Sequence, residues 1–307
     1  VNLLALWARR LAGVATRVVI SERTALSSET AARRKWRWRY LPALIHRVYP
    51  WADAIVAVSE GVAEDLARTA ELPRERITTI YNPVVTAELR AQASAPLDHA
   101  WFAPGAPPVV LGAGRLLKQK DFPTLIRAFA KVRAQRPARL VILGEGAKRR
   151  RLEALVEGLG LGADAALPGY VDNPFAYMAR AAVFVLSSAY EGLPGVLIQA
   201  LACGTPVVAT DCPHGPVEIL DGGRYGRLVP VGDAAAMAAA IIAMLDQPPE
   251  RQRLQARASE FCVERAMRSY RQVLASGTDT AVPAVSGSKR SSIRPSRQHH
   301  RLDRLRS

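Results

Sequence analysis

The stretch from Val183 to Asp211 constrains the fold of this chain more than any other part of the sequence. An apolar run, Val183 to Leu186, is followed by a loop rich in glycine and proline, an apolar helix pattern over 196–203 and a second apolar run over 206–209. Two neighbouring parallel strands need a crossover connection, which is usually a helix. We therefore predict one β–α–β unit of a parallel sheet in this stretch.

Strand and helix patterns alternate in the same way along most of the chain, which is typical of α/β domains with parallel sheets. The chain has 307 residues, of which 49% are hydrophobic, and can therefore form either one large core or two ordinary ones. Further strands are predicted over 16–20, 54–58, 76–81, 109–111, 140–143 and near Ala165.

The domain organisation follows from these patterns and from composition. Residues 84–107 are rich in alanine, proline and polar residues without a sustained period, and we interpret them as a linker. The tail after 276 lacks apolar periodicity and is predicted to be disordered. The predicted parts are a partial N-terminal domain over 1–83, the linker over 84–107, a C-terminal domain over 108–250, a helical segment over 251–275 and a basic tail over 276–307.

Several helix boundaries are marked by residues with known preferences. Ser59 and Asp121 precede helix patterns and can accept hydrogen bonds from the first N–H groups of a helix. Gly13 follows the amphipathic pattern of residues 3–11, and glycine favours the conformation that ends a helix. Other helices are predicted after Asn173 and from Asp233.

Residues suited to ligand binding follow the predicted strands of the C-terminal half. The carboxyl ends of parallel strands lie at one edge of the sheet, where ligands of such folds bind. One crevice can therefore collect Gly114, Arg115, Lys120, Gly144, Tyr170, Val171 and Glu191.

The loop after Glu191 has the properties of an anion-binding site. Gly192 and Gly195 allow bare backbone N–H groups to approach a ligand, and the next helix directs the positive end of its dipole at the same place. Glu191 lies beside the loop and can accept hydrogen bonds from sugar hydroxyls, while Gln199, about one turn inside the helix, can still reach the mouth of the pocket. The sequence therefore indicates a pocket for a sugar diphosphate.

The net charge of +15 does not indicate a nucleic-acid-binding protein. Residues 30–52 contain six cations and no acid, residues 286–307 contain seven cations and one acid, and the rest of the chain is nearly neutral. Nucleic-acid binding requires a broad basic surface, which this clustering does not provide. The three cysteines lack metal-site or disulfide spacing, and no apolar run reaches the ~18 residues of a membrane span.

The order of residues from Glu191 to Asp211 resembles that of retaining glycosyltransferases of family 4, whose motif contains two glutamates eight positions apart. Glu191 matches the first glutamate, and Gln199 replaces the second. The resemblance implies the GT-B fold, an α/β architecture of two Rossmann-like domains with parallel sheets. It also implies that the N-terminal domain is incomplete, because roughly the first third of a complete enzyme would precede Val1.

The resemblance further implies roles for individual residues. Arg115 and Lys120 match a basic pair on the donor pyrophosphate, and with Glu191 they form the expected catalytic group. The family needs neither a metal ion nor a cofactor, and the donor is a UDP- or GDP-linked sugar. The implied donor-binding residues are Gly114, Arg115, Lys120, Gly144, Tyr170, Val171, Glu191, Gly192, Leu193, Pro194, Gly195, Val196 and Gln199.

The N-terminal half provides the acceptor side by the same resemblance. Glu22 and Arg23 follow a predicted strand and are expected to face the cleft, although many relatives have histidine near Arg23. Residues 33–40, within a helix predicted over 31–49, alternate cations with aromatic rings. This composition suits either an anionic lipid interface or a solvated helix face. The expected location is cytoplasmic, with peripheral contact to the inner face of the plasma membrane in the first case.

The sequence therefore predicts a metal-independent, retaining hexosyltransferase. It would move a sugar from a nucleotide diphosphate donor to a glycan or lipid-linked acceptor, in a cell-envelope polysaccharide pathway. Two alternatives remain open. One is a nucleotide-sugar epimerase with the same fold, and the other is a non-catalytic protein that binds nucleotide sugars, which the substitution at Gln199 makes conceivable.

Overall fold

Two parallel sheets organise the fold in the computed structural model, which describes residues 1–27, 30 and 40–275. The first sheet has three strands in the order β1-β2-β3, and all its neighbours run parallel. Helices α2 and α3 connect these strands, as the crossovers of a parallel sheet require. The elements are β1 (Val19–Glu22), α2 (Leu41–Val48), β2 (Ala54–Ala57), α3 (Glu60–Thr69) and β3 (Ile77–Thr79).

The second sheet has six strands in the order β6-β5-β4-β7-β8-β9, again all parallel. Every residue of β4, β7 and β8 is buried, because helices cover both faces of the sheet. Its strands are β4 (Val109–Ala113), β5 (Arg139–Leu143), β6 (Ala165–Gly169), β7 (Val183–Leu186), β8 (Val207–Thr210) and β9 (Arg227–Val229).

The strand order of this sheet reverses between β4 and β7. In α/β sheets the crevice at such a reversal, outside the carboxyl ends of the strands, is the usual place for a ligand. The helices of this half are α5 (Phe122–Arg133), α6 (Arg149–Gly158), α7 (Pro174–Arg180), α8 (Gly195–Ala202), α9 (Pro216–Ile219) and α10 (Ala234–Asp246).

The remaining helices lie at the ends of the chain and between the sheets. They are α1 (Asn2–Ala12), α4 (Ala87–Ala93), α11 (Arg251–Ala258) and α12 (Val263–Ala275). Ala266 of α12 packs with Val56 and Ile80, so this last helix covers the N-terminal sheet. In the described part of the chain, no helix is both long enough and apolar enough to cross a membrane.

Several helix boundaries lie where the sequence predicts them. The Ser59 hydroxyl accepts a hydrogen bond from the Val62 N–H, and Gly13 ends α1 with a φ of 63°. Asn173 and Asp233 act as N-caps in the same way as Ser59. Asp121 precedes α5, but its carboxylate accepts no backbone hydrogen bond because the residue has a left-handed φ of 42°. Its Oδ2 instead accepts a hydrogen bond from the Thr124 hydroxyl at 2.6 Å.

Other expectations differ from the structure. The linker over 84–107 contains α4, a helix capped by Thr86 and tied to α7 by a hydrogen bond from the Asn173 amide to the Gln92 carbonyl at 2.9 Å. The first strand lies over Val19–Glu22 rather than 16–20, since Ser21 and Glu22 continue the pairing with β2. The strand β9 is not predicted, because a strand of three residues has too little periodicity.

The basic-aromatic helix predicted over 31–49 is described only in part. Residues 31–39 lie outside the described residues, as does the tail from 276. Residues 41–48 form α2, which ends before Pro50 as predicted. Pro50 lies in the 3₁₀ turn Tyr49–Trp51 that follows, where proline is compatible with the first turn of a helical segment.

Candidate active site

An ion pair spans the crevice where the order of the larger sheet reverses. Lys120 follows β4, Glu191 follows β7, and the Lys120 Nζ donates to the Glu191 Oε1 at 2.6 Å. Their side chains are 16% and 9% exposed. A buried charge is costly unless it is paired, and each of these two residues is the partner of the other. The crevice therefore contains both a cation and an anion at the place where ligands bind in such folds.

Three buried hydroxyl groups hold this pair. The Ser188 hydroxyl donates to the same Glu191 Oε1 at 2.6 Å, and the Ser187 hydroxyl donates to the Lys120 carbonyl at 2.7 Å. Thr210, at the end of β8, donates to the Ser188 carbonyl at 2.6 Å. Sequence reasoning missed all three residues. The available signal is weak, because it consists only of hydroxyl residues at the ends of two apolar strands.

The N-terminus of α8 lies at the end of the same loop. Pro194 is at the N-cap position and provides no side-chain hydrogen bond to the first turn, which leaves the helix N-terminus suited to an anion. Leu193 is only 8% exposed and belongs to the core, so the loop can offer its backbone rather than this side chain. Gln199 is half-buried and makes no side-chain hydrogen bond to any described residue.

Glycines allow the loops around the crevice to approach each other closely. Gly144 has a φ of 124°, and a Cβ added there would lie 2.2 Å from the Gly114 carbonyl oxygen. The Gly144 N–H donates to the Gly169 carbonyl at 2.7 Å, which joins the loops after β5 and β6. The loops after three neighbouring strands are thus held together by contacts that only glycine permits at position 144.

We expect Gly144→Ala to lower the free energy of unfolding by about 1–3 kcal/mol, because alanine meets both an unfavourable φ and a backbone oxygen. Gly158→Ala is the matched control, since no heavy atom lies within 4 Å of its added Cβ. Urea unfolding of the two variants makes the comparison. Equal stabilities would contradict the close approach at Gly144.

The other predicted donor residues differ in their surroundings. Arg115 is exposed and forms no ion pair or side-chain hydrogen bond with the described residues, so its guanidinium remains available. Tyr170 is 74% exposed, and Val171 packs against the core. Glu145 is held by Arg149, which donates to both carboxylate oxygens at 2.6 and 3.0 Å and lowers the pKa of that carboxyl group.

The loop that carries Glu191 also contacts the N-terminal half. A Cβ added at Gly192 would lie 2.5 Å from the Arg23 carbonyl oxygen. The Ser59 hydroxyl donates to the Gly192 carbonyl at 3.1 Å, and both the hydroxyl and the carbonyl are buried. Glu218, after β8, accepts the Glu60 N–H at 2.8 Å and thereby contacts the first turn of α3.

Glu22 and Arg23 lie at the carboxyl end of β1, but their side chains have partners within the N-terminal half. Glu22 accepts hydrogen bonds from Asn2, at 2.8 Å, and from the Tyr49 hydroxyl. Arg23 donates to the Asn82 amide oxygen at 2.9 Å. Both residues line a cavity of about 700 Å³ whose walls are largely apolar.

Asp65 of α3 is a buried carboxylate at this contact between the halves. It accepts the Ser27 N–H at 2.9 Å, and the His214 Nε2 lies 3.9 Å from its Oδ1. Burial by itself raises the pKa of Asp65, but the hydrogen bonds from Ser27, the charge of His214 and the contact with Arg68 outweigh it. The pKa therefore lies below its ordinary value.

A depressed carboxyl pKa contributes stability above the unfolded-state pKa, and this contribution is lost as the pH falls through the folded-state value. We expect Asp65→Asn to cost about 1–3 kcal/mol at pH 7 and progressively less as the pH falls below the ordinary aspartate pKa and through the lower folded-state pKa, where wild-type Asp65 becomes protonated. Urea unfolding across this range tests it, with the exposed Asp172→Asn as control. A cost that does not change with pH would contradict the assignment.

Family models match both halves of the chain. Residues 97–261 match the model described as "Glycosyl transferases group 1", and residues 2–88 match the one described as "Glycosyltransferase Family 4". The chain belongs to the group 1 glycosyltransferase family. The resemblance predicted from Glu191 to Asp211 is thereby confirmed.

Two curated relatives of this chain are named as bacterial sugar transferases. The chain is 34% identical over 245 residues to the N-acetylgalactosamine-N,N'-diacetylbacillosaminyl-diphospho-undecaprenol 4-alpha-N-acetylgalactosaminyltransferase of Campylobacter jejuni, covering 80% of this chain. It is 35% identical over 230 residues to the lipopolysaccharide core biosynthesis glycosyltransferase LpsE of Rhizobium meliloti, covering 73% of this chain. The chain spans 64% of the length of each of these two relatives.

Solved structures confirm the predicted GT-B fold. HepE of Anabaena, in complex with UDP, has a TM-score of 0.76 and 22% identity, with 90% of this chain and 76% of that chain covered. The apo form of the lipopolysaccharide outer core galactosyltransferase WaaB has a TM-score of 0.68 and 20% identity, with 90% and 72% covered. At such identities the similarity establishes the shared architecture.

The cysteine thiols are not reactive groups of this crevice. Burial raises the pKa of the Cys203 and Cys212 thiols to about 12, so both are neutral near pH 7. Cys262 lies outside the crevice, next to the 3₁₀ turn Ser259–Phe261. The polar groups of the crevice include the charges of Lys120 and Glu191, the hydroxyls that hold them, the exposed Arg115 guanidinium and the α8 N-terminus.

Proposed function

We propose that the protein is a retaining glycosyltransferase that moves a hexose-type sugar from a nucleoside diphosphate to a glycan or lipid-linked acceptor. The observation that carries this proposal is the Lys120–Glu191 ion pair, which lies at the strand-order reversal and next to the loop that leads into α8. A donor needs a cation for its diphosphate and a carboxylate for its sugar hydroxyls. The crevice provides both.

The chemistry follows from how charge develops when the glycosidic bond breaks. Negative charge grows on the leaving nucleoside diphosphate, where Lys120, Arg115 and the N-terminus of α8 can stabilise it. Positive charge grows on the sugar ring, where the Glu191 carboxylate can stabilise it. In this proposal the backbone of Gly192 and Gly195 receives a phosphate, and no metal ion takes part.

The donor and acceptor are proposed from the relatives together with the site. UDP is bound in the HepE complex, which favours a UDP-linked donor over a GDP-linked one. The Campylobacter relative is named for a diphospho-undecaprenol acceptor, which favours a lipid-linked acceptor here. Arg23 and the apolar cavity that it lines with Glu22 would then lie on the acceptor side.

A transfer assay tests the proposal. The full chain is incubated with EDTA, a panel of UDP- and GDP-sugars and a polyprenyl-diphosphate-linked sugar, and products are separated by mass. A product one sugar heavier, with the anomeric configuration of the donor, supports the proposal. Donor epimerisation without such a product would favour the epimerase, and nucleotide binding without any donor consumption would favour the non-catalytic binding protein.

Contact with the membrane is part of the same proposal. The basic-aromatic composition of residues 33–40 supports it, since cations near an anionic bilayer each contribute about 1 kcal/mol. Co-sedimentation with vesicles of anionic or neutral lipid tests this contact. Two variants, in which glutamine replaces the basic residues of either 33–39 or the tail, show which basic segment is responsible for binding. Binding that depends only on the tail would exclude residues 33–40 as the contact.

A further inference from the structure

Two consecutive serines at the carboxyl end of β7 fasten the two members of the ion pair separately. Ser187 is 2% exposed and donates to the Lys120 carbonyl at 2.7 Å, so it fixes the backbone that carries the lysine. Ser188 is 0% exposed and donates to the Glu191 carboxylate at 2.6 Å. One short segment therefore controls a cation on the β4 side and an anion on the β7 side of the crevice.

The position of Ser188 is itself fixed by the neighbouring strand. Thr210 of β8 is 0% exposed, and its hydroxyl donates to the Ser188 carbonyl at 2.6 Å. The same hydroxyl lies 3.4 Å from the Leu186 carbonyl. Because these groups are buried, their hydrogen bonds hold the backbone from which the Ser188 side chain extends toward Glu191.

The two carboxylate oxygens of Glu191 have different surroundings. Oε1 accepts from both Lys120 and Ser188, each at 2.6 Å. Oε2 has no hydrogen-bond partner among the described residues, and it is not a fully buried atom. Hydrogen bonds within the protein thus hold Oε1, whereas Oε2 is left available to a ligand.

The lysine cannot bind Glu191 and a diphosphate equally well at the same time. When the phosphates attract Lys120, Oε1 loses one of its two donors, while Glu191 as a whole is only 7% exposed to water. The hydroxyl of Ser188 then remains as the donor that keeps the carboxylate in place. An unsatisfied buried oxygen would otherwise cost free energy and allow the side chain to turn.

We propose that Ser188 is a positioning residue that holds Glu191 in the orientation that binds the donor sugar after Lys120 has moved to the diphosphate. Ser187 is the corresponding positioning residue for Lys120. This inference rests on the proposed donor site. Through Glu191, Ser188 should affect binding of the sugar half of the donor. Through Lys120, Ser187 should affect binding of the nucleotide half.

Binding alone tests this division, without an acceptor. Isothermal titration of the full chain gives the Kd of UDP, of GDP and of the nucleotide sugar that binds the wild-type protein most tightly from a panel. We expect Ser188→Ala to raise the Kd of the nucleotide sugar about tenfold, as expected for one lost hydrogen bond to a charged group, and that of the nucleoside diphosphate less than about threefold. Ser187→Ala should raise both by the same factor.

Thr205→Val is the matched control. Thr205 is 2% exposed and its hydroxyl donates to the Met178 carbonyl at 2.5 Å, but it precedes β8 and so lies at the opposite end of the sheet from Thr210. Loss of this buried hydroxyl should change neither Kd. If Ser188→Ala does not fold, Ser188→Cys, which keeps the size and has only a weak donor, takes its place.

The outcomes distinguish a failure of the proposed function from a failure of the positioning role of Ser188. If the wild-type protein binds neither nucleoside diphosphates nor nucleotide sugars, the proposed function is wrong and the role of Ser188 falls with it. If it binds them and the Ser188 variant raises both Kd values equally, or neither, then the positioning role is wrong while the donor site stands.

Discussion

Lys120→Ala is expected to lower the free energy of unfolding by about 3 kcal/mol and to weaken nucleoside diphosphate binding by about 1.5–3 kcal/mol. The first effect arises because the Glu191 carboxylate, 7% exposed, is left without its counter-ion. The second arises because the diphosphate loses a charged donor. Urea unfolding measures the first effect, and calorimetric titration with UDP and GDP measures the second.

A double variant distinguishes these two effects. Adding Glu191→Gln to Lys120→Ala removes the unpaired charge, so stability should recover while nucleotide affinity stays low. Arg115→Ala provides a second comparison, since Arg115 is exposed and has no ion-pair partner among the described residues. It should lose affinity without losing stability. Wild-type affinity in both Lys120→Ala and Arg115→Ala would remove these residues from the donor site.

Glu191→Gln alone is expected to reduce turnover by a factor on the order of 10²–10³ while changing nucleoside diphosphate affinity little. Glutamine keeps the shape of the side chain and can still accept hydrogen bonds from Ser188 and Lys120, but it lacks the negative charge that stabilises a cationic sugar. The transfer assay with the wild-type donor measures turnover, and calorimetry measures affinity.

Gln199→Glu is the control for this prediction. Gln199 is half-buried in the second turn of α8 and has no side-chain hydrogen bond to a described residue, so it is not part of the Lys120–Glu191 ion pair. Its replacement should mainly alter nucleotide affinity. Equal losses of affinity in Glu191→Gln and Gln199→Glu would contradict the separate roles of the two positions.

Local sequence signals were sufficient for much of the fold. The strand Val183–Leu186 has the predicted bounds. All four apolar residues are buried, and the run ends where the polar loop begins. Ser59 caps α3 because its hydroxyl needs only the N–H three residues later. The linker helix α4 was missed because its stability depends on packing against α7, which its own seven residues do not reveal.

In the candidate site as well, local signals identify some residues, while the contacts between them depend on the tertiary fold. Lys120 and Glu191 are identified from the residues that follow two strands, but their direct ion pair depends on β4 and β7 being neighbours in the sheet. The hydroxyls of Ser188 and Thr210 act across strands, so no spacing in the sequence relates them to Glu191. Glu22 is predicted to face the cleft from its position after β1, but the hydrogen bonds that its carboxylate accepts from Asn2 and Tyr49 come from distant parts of the chain and cannot be predicted from spacing.

The most direct test of the donor site is a crystal structure of the protein with bound UDP or GDP. We expect the diphosphate to lie at the carboxyl ends of β4 and β7, within hydrogen-bond distance of the Lys120 Nζ and of the first backbone N–H groups of α8. We also expect Ser188 still to donate to Glu191 in that complex. A nucleotide bound elsewhere, with the Lys120–Glu191 pair unchanged, would contradict the proposed donor site.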